Sequence, residues 1–223
     1  SGVTAEDSSD NGSDPETDNG NGGVDDATPI TFSENAEIAV AKEVSAIPTN
    51  NGDGTYILIY SMVLKNIGDI SLANVQVADD LTTTFTGATF SVDAKSTLGS
   101  ILAINANFDG NTDKNLLAAS QSLAVGASET INLTVTVTPG SNLGAYSNSA
   151  IASGLSPSGV TASDSSDNGS DPETDNGSGG VDDATPVSFS ESAAIAVAKA
   201  VSAVPTNNGD GTYSLIYSMV VKN

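Results

Sequence analysis

Between Glu6 and Pro29 the chain reads EDSSDNGSDPETDNGNGGVDDATP, and its eight carboxylates (Glu6, Asp7, Asp10, Asp14, Glu16, Asp18, Asp25 and Asp26) meet no Lys or Arg. Like charges packed this closely repel, so without a cation the segment stays swollen. Asp14, Glu16 and Asp18 alternate, Gly20 follows, and Asp25 stands twelfth counting from Asp14. Alternating oxygen donors, a glycine turn and a distal acid are the materials of a Ca²⁺ loop, an ion that takes about six to eight hard oxygen ligands. The glycine is one place late for an EF-hand, Pro15 interrupts the loop, and no amphipathic helix flanks it. A calcium-filled linker between two β domains fits the pattern better than an EF-hand pair. The competing reading is a solvated spacer without a specific ion.

The stretch returns. Residues 1–66 reappear as residues 158–223, an offset of 157 (222 minus 65 for the paired lysines), with 10 differences in 66 aligned positions. Most differences are mild, such as Ile30 to Val187 and Leu64 to Val221. In the second copy Asp164, Asp167, Asp171, Glu173, Asp175, Asp182 and Asp183 hold the places of the first, and only Glu6 has become Ser163. The two segments hold eight plus seven of the chain's 28 acids. A period this long exceeds a solenoid unit of about 20–50 residues and suits a whole domain with its linker. At 223 residues the chain holds one complete unit and parts of its neighbours.

Composition narrows the function classes. A net charge of −22 and basic residues that are all Lys argue against nucleic acid and anionic membrane surfaces as partners. Without Cys or His there is no disulfide framework and no ordinary zinc or copper site. No apolar run is long enough to span a membrane as a helix, and no signal peptide is visible. Catalysis would have to rest on paired carboxylates or a Ser–Lys dyad. Adjacent Asp79 and Asp80 at a strand end point to opposite faces, poor geometry for a shared reaction centre. The chain is therefore not expected to be an enzyme. A sugar- or surface-binding module is the stronger rival, yet there is no Trp and the Tyr residues fall within strands. Four triplets, at Asn11, Asn132, Asn168 and Asn176, fit the glycan acceptor pattern.

In chain order, Ser1–Ala5 reads as the tail of a strand, and Glu37–Ile47 as a strand ended by Pro48. Asn51-Gly52-Asp53-Gly54 signals a hairpin, with Asp53 a turn residue rather than a metal ligand. Thr55–Val63, TYILIYSMV, is a buried central strand. Leu72–Val77 alternates, with Leu72, Asn74 and Gln76 on one face and Ala73, Val75 and Val77 on the other. Further strands are expected over 82–85, 88–92, 101–106, 129–137 and 145–153. In the 129–137 strand, Ile131, Leu133, Val135 and Val137 point inward. Asp109 and Asp113, spaced around Gly110, are either a second Ca²⁺ site or turn formers. About seven antiparallel strands punctuated by Gly, Pro and Asn predict an all-β, antiparallel sandwich.

Lys65-Asn66-Ile67-Gly68, Leu72 to Leu81, Phe108-Asp109-Gly110, Ser122 to Gly126, Leu133 to Val137 and Asp164 to Pro172 together resemble the "conserved repeat" domain of unknown function 11. The resemblance covers about residues 33–186. It implies Ig-like sandwiches strung in tandem on large prokaryotic surface proteins, adhesins or S-layer-like material, and carries no catalytic residues with it.

The organisation expected is thus a strand tail at 1–5, an acidic linker at 6–32, a complete Ig-like sandwich at 33–162, a second linker at 163–189, and the first two strands of another unit at 190–223. Two strands bury no core alone. The window therefore belongs to a longer polymer, or to a fibre subunit whose ends exchange strands with neighbours. The expected role is structural, in an extracellular or cell-surface filament or adhesin stalk stiffened by Ca²⁺. Its partners are other repeats or subunits and, in the adhesion alternative, cell-surface ligands.

Overall fold

The computed structural model describes residues 2–6, 8, 9, 11–13, 27–174 and 182–223. The first half of the sandwich is laid down as β1 (Ile38–Val44), β2 (Thr49–Asn50), β3 (Tyr56–Asn66), β4 (Leu72–Asp79), a one-turn helix α1 (Leu81–Thr84) and β5 (Thr89–Thr97). After a long loop come β6 (Ser122–Leu123), β7 (Ser128–Thr138), β8 (Gly144–Asn148) and β9 (Ala150–Leu155), followed by β10 (Thr161–Ser165), β11 (Asp167–Asn168) and β12 (Thr185–Ser188). The remaining strands, β13 (Ala196–Val201), β14 (Thr206–Asn207), β15 (Tyr213–Ser214) and β16 (Tyr217–Lys222), form a separate hairpin.

One sheet has the order β11-β1-β3-β7-β5, with β2 added to β3, and the other has the order β10-β9-β4-β6. Every pairing in them is antiparallel except β1 with β11. Alternation puts Tyr56, Leu58, Tyr60, Met62 and Leu64 of β3 inward beside Ile131, Leu133, Val135 and Val137 of β7. The facing sheet contributes Leu72, Val75, Val77, Leu123, Ala150, Ala152 and Ala162 to the same core. The chain is an all-β antiparallel sandwich, as its pattern predicts.

The β3 hairpin turns at Gly52 and Gly54, both at positive φ (81° and 87°), where Asn50 accepts the Gly52 amide and Asp53 accepts the Thr55 amide. Gly68 is required for a different reason. A Cβ there would lie 2.2 Å from the Asn35 carbonyl oxygen, because the chain entering the sandwich crosses directly over it.

Several local expectations give way to specific contacts. In β4 a bulge at Asn74 (φ 51°) interrupts the alternation, so Leu72 joins Val75, Val77 and Asp79 on the buried face. The stretch 82–85, expected as a strand, falls in the helix α1 and its C-cap Phe85, because Asp80 caps the helix by accepting from the Thr83 amide. Residues 101–106 form a loop with one bridge, Ile104 to Leu117. The amides of Gly99, Ile101 and Leu102 that open this loop bond to the Glu129 carboxylate instead of a neighbouring strand. The single strand expected over 145–153 is two strands: β8 pairs with β12, and after Ser149 the chain crosses to pair as β9 with β4 and β10.

The largest difference concerns 163–189, expected as a linker outside the sandwich. Its β10 extends the second sheet beyond β9, β11 lies parallel to β1, and β12 covers β8. The physical reason lies between the acids: Ala162, Ser166, Thr185, Val187 and Phe189 are all buried. Phe189 packs against Tyr56 with the rings tilted and 4.8 Å apart, and meets Tyr146 edge-on at 5.9 Å. The folded unit therefore runs from about 33 to 189, one full repeat period.

Candidate functional site

The closing segment, 161–189, gathers most of the described acids that the sequence singles out. Asp164, at the end of β10, accepts the Val40 amide at 2.7 Å, and Asp167 in β11 accepts the Asp182 amide at 2.7 Å. Gly169 N–H and the Thr185 hydroxyl both donate to the Lys42 carbonyl, at 2.9 and 2.7 Å. Backbone bonding thus draws Asp164, Asp167 and Asp182 towards one another. Partial burial pushes the Asp164 carboxyl up, the Val40 amide opposes this, and the charges of Asp167 and Asp182 push it up further.

The rest of the segment is more exposed. Asp171 accepts the Glu173 amide at 3.0 Å, which with the Thr174 hydroxyl holds its carboxyl below the usual range. Glu173 pairs with Lys65 of β3. Asp183 is half-buried. Asp7, Asp10, Asp14, Glu16, Asp18, Asp25, Asp26 and Asp175 lie outside the described residues. Among the described residues no group of three or more acids converges as a metal-ligand set. A cation at this segment would accordingly need oxygens beyond Asp164, Asp167 and Asp182.

Asp109 and Asp113, left between two readings, act within their own loop. Asp109 accepts the amides of Asn111 and Asp113 (both 2.9 Å) and the Thr112 hydroxyl (2.6 Å). The Thr112 hydroxyl, with those amides, brings the Asp109 carboxyl down to about 2. Asp113 accepts from Asn115 and Asn105. Through these bonds both carboxylates shape the turn.

A second polar cluster lies inside the sandwich and was not singled out in the sequence. Lys42 of β1 and Asp79 of β4 form an ion pair at 2.6 Å with both side chains fully buried. The Lys42 ammonium nitrogen sits 4.4 Å from the centre of the Tyr60 ring. Burial pulls the Lys42 pKa down, partly offset by the Asp79 charge and hydrogen bond. Asn148, buried at the end of β8, accepts the Thr84 hydroxyl at 2.8 Å. The signal available was Lys42 itself, a lysine at an inward position of the apolar run IAVAKEV. Asp80 next door faces outward, bonded to Lys114 at 2.6 Å, so the adjacent acids do point to opposite sides.

No family model matches the chain, and no curated protein matches it. Among solved structures the chain is similar to BcpA*(D312A), the major pilin subunit of Bacillus cereus, with a TM-score of 0.35 and 9% identity over 84% of this chain and 55% of that one. It is also similar to Spo0M, a sporulation control protein from Bacillus subtilis, with a TM-score of 0.27 and 11% identity over 58% and 47% of the two chains. The chain thus spans about half the length of each. Likeness at this level says nothing about activity. No helix among the described residues is long and apolar enough to cross a membrane.

Proposed function

We propose that the chain is a stretch of a tandem-repeat filament or stalk at a prokaryotic cell surface, structural rather than catalytic, in which each sandwich is closed by the acidic segment that follows it. One observation carries this reading. Residues 161–168 and 185–188, copies of 4–11 and 28–31, carry strands that pair with the unit before them, while 190–223 repeat the sequence of β1 to β3 and leave its apolar side chains exposed. A repeat unit that ends in a strand pairing and starts the next hairpin a few residues later leaves little free spacer. Strings of such units are stiff by construction. The partner that would cover the exposed hairpin is the remainder of another repeat, in the same chain or in an exchanged subunit.

Ca²⁺ enters the proposal as the counter-charge of the closing segment. Its support is the approach of Asp164, Asp167 and Asp182, with Lys65 taken by Glu173. Binding to the folded form only would stabilise it by mass action.

Small-angle scattering on a three-repeat protein, in calcium and in chelator, tests both parts. A rod whose length grows in proportion to repeat number is expected in calcium. A compact, flexible chain there would refute the filament reading. A profile identical in chelator would retain the rod and remove the ion from its cause.

A further inference from the structure

Among the described residues, three buried side-chain atoms lack a hydrogen-bond partner: the Tyr60 hydroxyl, Asp79 Oδ1 and Asn148 Nδ2. All three belong to the cluster around Lys42. Asp79 holds Lys42 Nζ at 2.6 Å, and the Tyr60 ring lies under the same nitrogen. The Tyr60 hydroxyl feels both the Asp79 charge and the Asn148 amide. Asn148 is the cross-strand partner of Thr185, whose hydroxyl bonds to the Lys42 carbonyl, and Ala150, two residues on, pairs with Asp79. A structural ion pair is retained most cheaply when its surroundings satisfy every lone pair and proton, and this one is left with orphans.

We propose that the cluster is a reaction site: Lys42 and Asn148 join in the folded protein through an amide between Nζ and the Asn148 carboxamide carbon, with Asp79 moving the protons. In the dry interior the proton of Lys42 passes to Asp79 across the short contact, giving a neutral amine and a neutral acid. The amine lone pair attacks Cγ of Asn148, and the carbonyl π electrons move to Oδ1, which faces the Thr84 hydroxyl. Asp79 gives its proton to Nδ2 and takes one from Nζ. The Cγ–Nδ2 bond breaks and ammonia leaves. Amine plus carboxamide becomes secondary amide plus ammonia, with Asp79 protonated before and after and nothing oxidised or reduced. The product has lost the buried charge pair and the orphan Nδ2 donor together. This inference does not depend on the filament reading.

The test is intact-mass spectrometry of the folded full chain against the mass of its sequence, followed by proteolysis. A deficit of one ammonia per chain, with a branched peptide joining Lys42 to Asn148, is the expected result. An unchanged mass overturns the proposal. So does a deficit of one water with a branch to Asp79, or an ammonia deficit without the branch, as a succinimide at one of the Asn-Gly turns would give. Asp79→Ala should restore the full mass while circular dichroism still reports strands. A branch that forms in that variant removes Asp79 from the chemistry. Should the variant not fold, the parent chain's mass and peptide map still decide the question.

Discussion

The same sequence meets two fates in one molecule. Val40, Tyr60 and Met62 are completely buried, whereas their copies Val197, Tyr217 and Met219 are 70%, 47% and 67% exposed. Yet both copies make the same hairpin, down to corresponding registers: Val40 faces Leu64 as Val197 faces Val221. Even the lysine keeps its ring, with Lys199 4.0 Å from the Tyr217 ring centre. Local pairing and turn chemistry therefore belong to the segment, and burial belongs to whatever packs on it. The acidic segment teaches the same lesson from the other side. Phe189 is buried against two tyrosine rings, while its copy Phe32 is 89% exposed.

The strongest way to break this comparison is truncation. Ending the chain after Pro157 removes β10, β11 and β12 and should cost more than about 5 kcal/mol, of the order of a domain's whole stability. Ending it after Ser190 removes only the exposed hairpin and should leave the urea midpoint unchanged. Equal midpoints for the two truncations would mean that the acidic segment is an ornament on a finished sandwich.

Point substitution sharpens it. Phe189→Ala should destabilise by about 3–5 kcal/mol, the range for deleting a buried aromatic. Phe32→Ala, the same change in the same local sequence, should stay within about 0.5 kcal/mol. Thermal melts of the pair decide it; similar losses would show that Phe32 also has a packing role.

The smallest effect is electrostatic. Asp164 has its folded pKa raised, so its contribution is fully present below the unfolded pKa and is lost as pH rises through the folded value. Asp80 behaves oppositely. Its hydrogen bond to Lys114 depresses the carboxyl to about 2, and its contribution is lost only as pH falls towards that value. Asp164→Asn keeps an acceptor for the Val40 amide and should gain on the parent chain as pH rises through the carboxylate range. A difference that does not change with pH would dismiss the repulsion among Asp164, Asp167 and Asp182.

The fold class and the central strands were legible because alternation over 129–137 and the β-rich run 55–63 leave few other options. The helix at 81–84 was hidden because Thr-rich runs favour strands unless a cap competes, and Asp80 was weighed only as a catalytic partner. The end of the unit was hidden for a subtler reason. Acids dominate the look of 163–189, yet the burial there falls on interspersed residues such as Ser166, Thr185, Val187 and Phe189, next to the buried Ala162. The Lys42–Asp79 pair depends on a contact between residues far apart in sequence, on strands of two different sheets, and no local spacing announces it.

The parallel pairing of β1 with β11 has a mechanical meaning. Ala41 lies beside Asp167 and Lys42 beside Asn168, with both strands running the same way. β1 opens the unit and β11 lies near its close, with β12 after it, so the leading end of β1 and the trailing end of β11 point in opposite directions. Once β12 has come away from β8, a pull on the start of β1 and the end of β11 loads the hydrogen bonds between them, together with the Asp164 to Val40 and Gly169 to Lys42 bonds, all at once along the strands, instead of opening them one after another from an edge. Such a module resists stretching in shear.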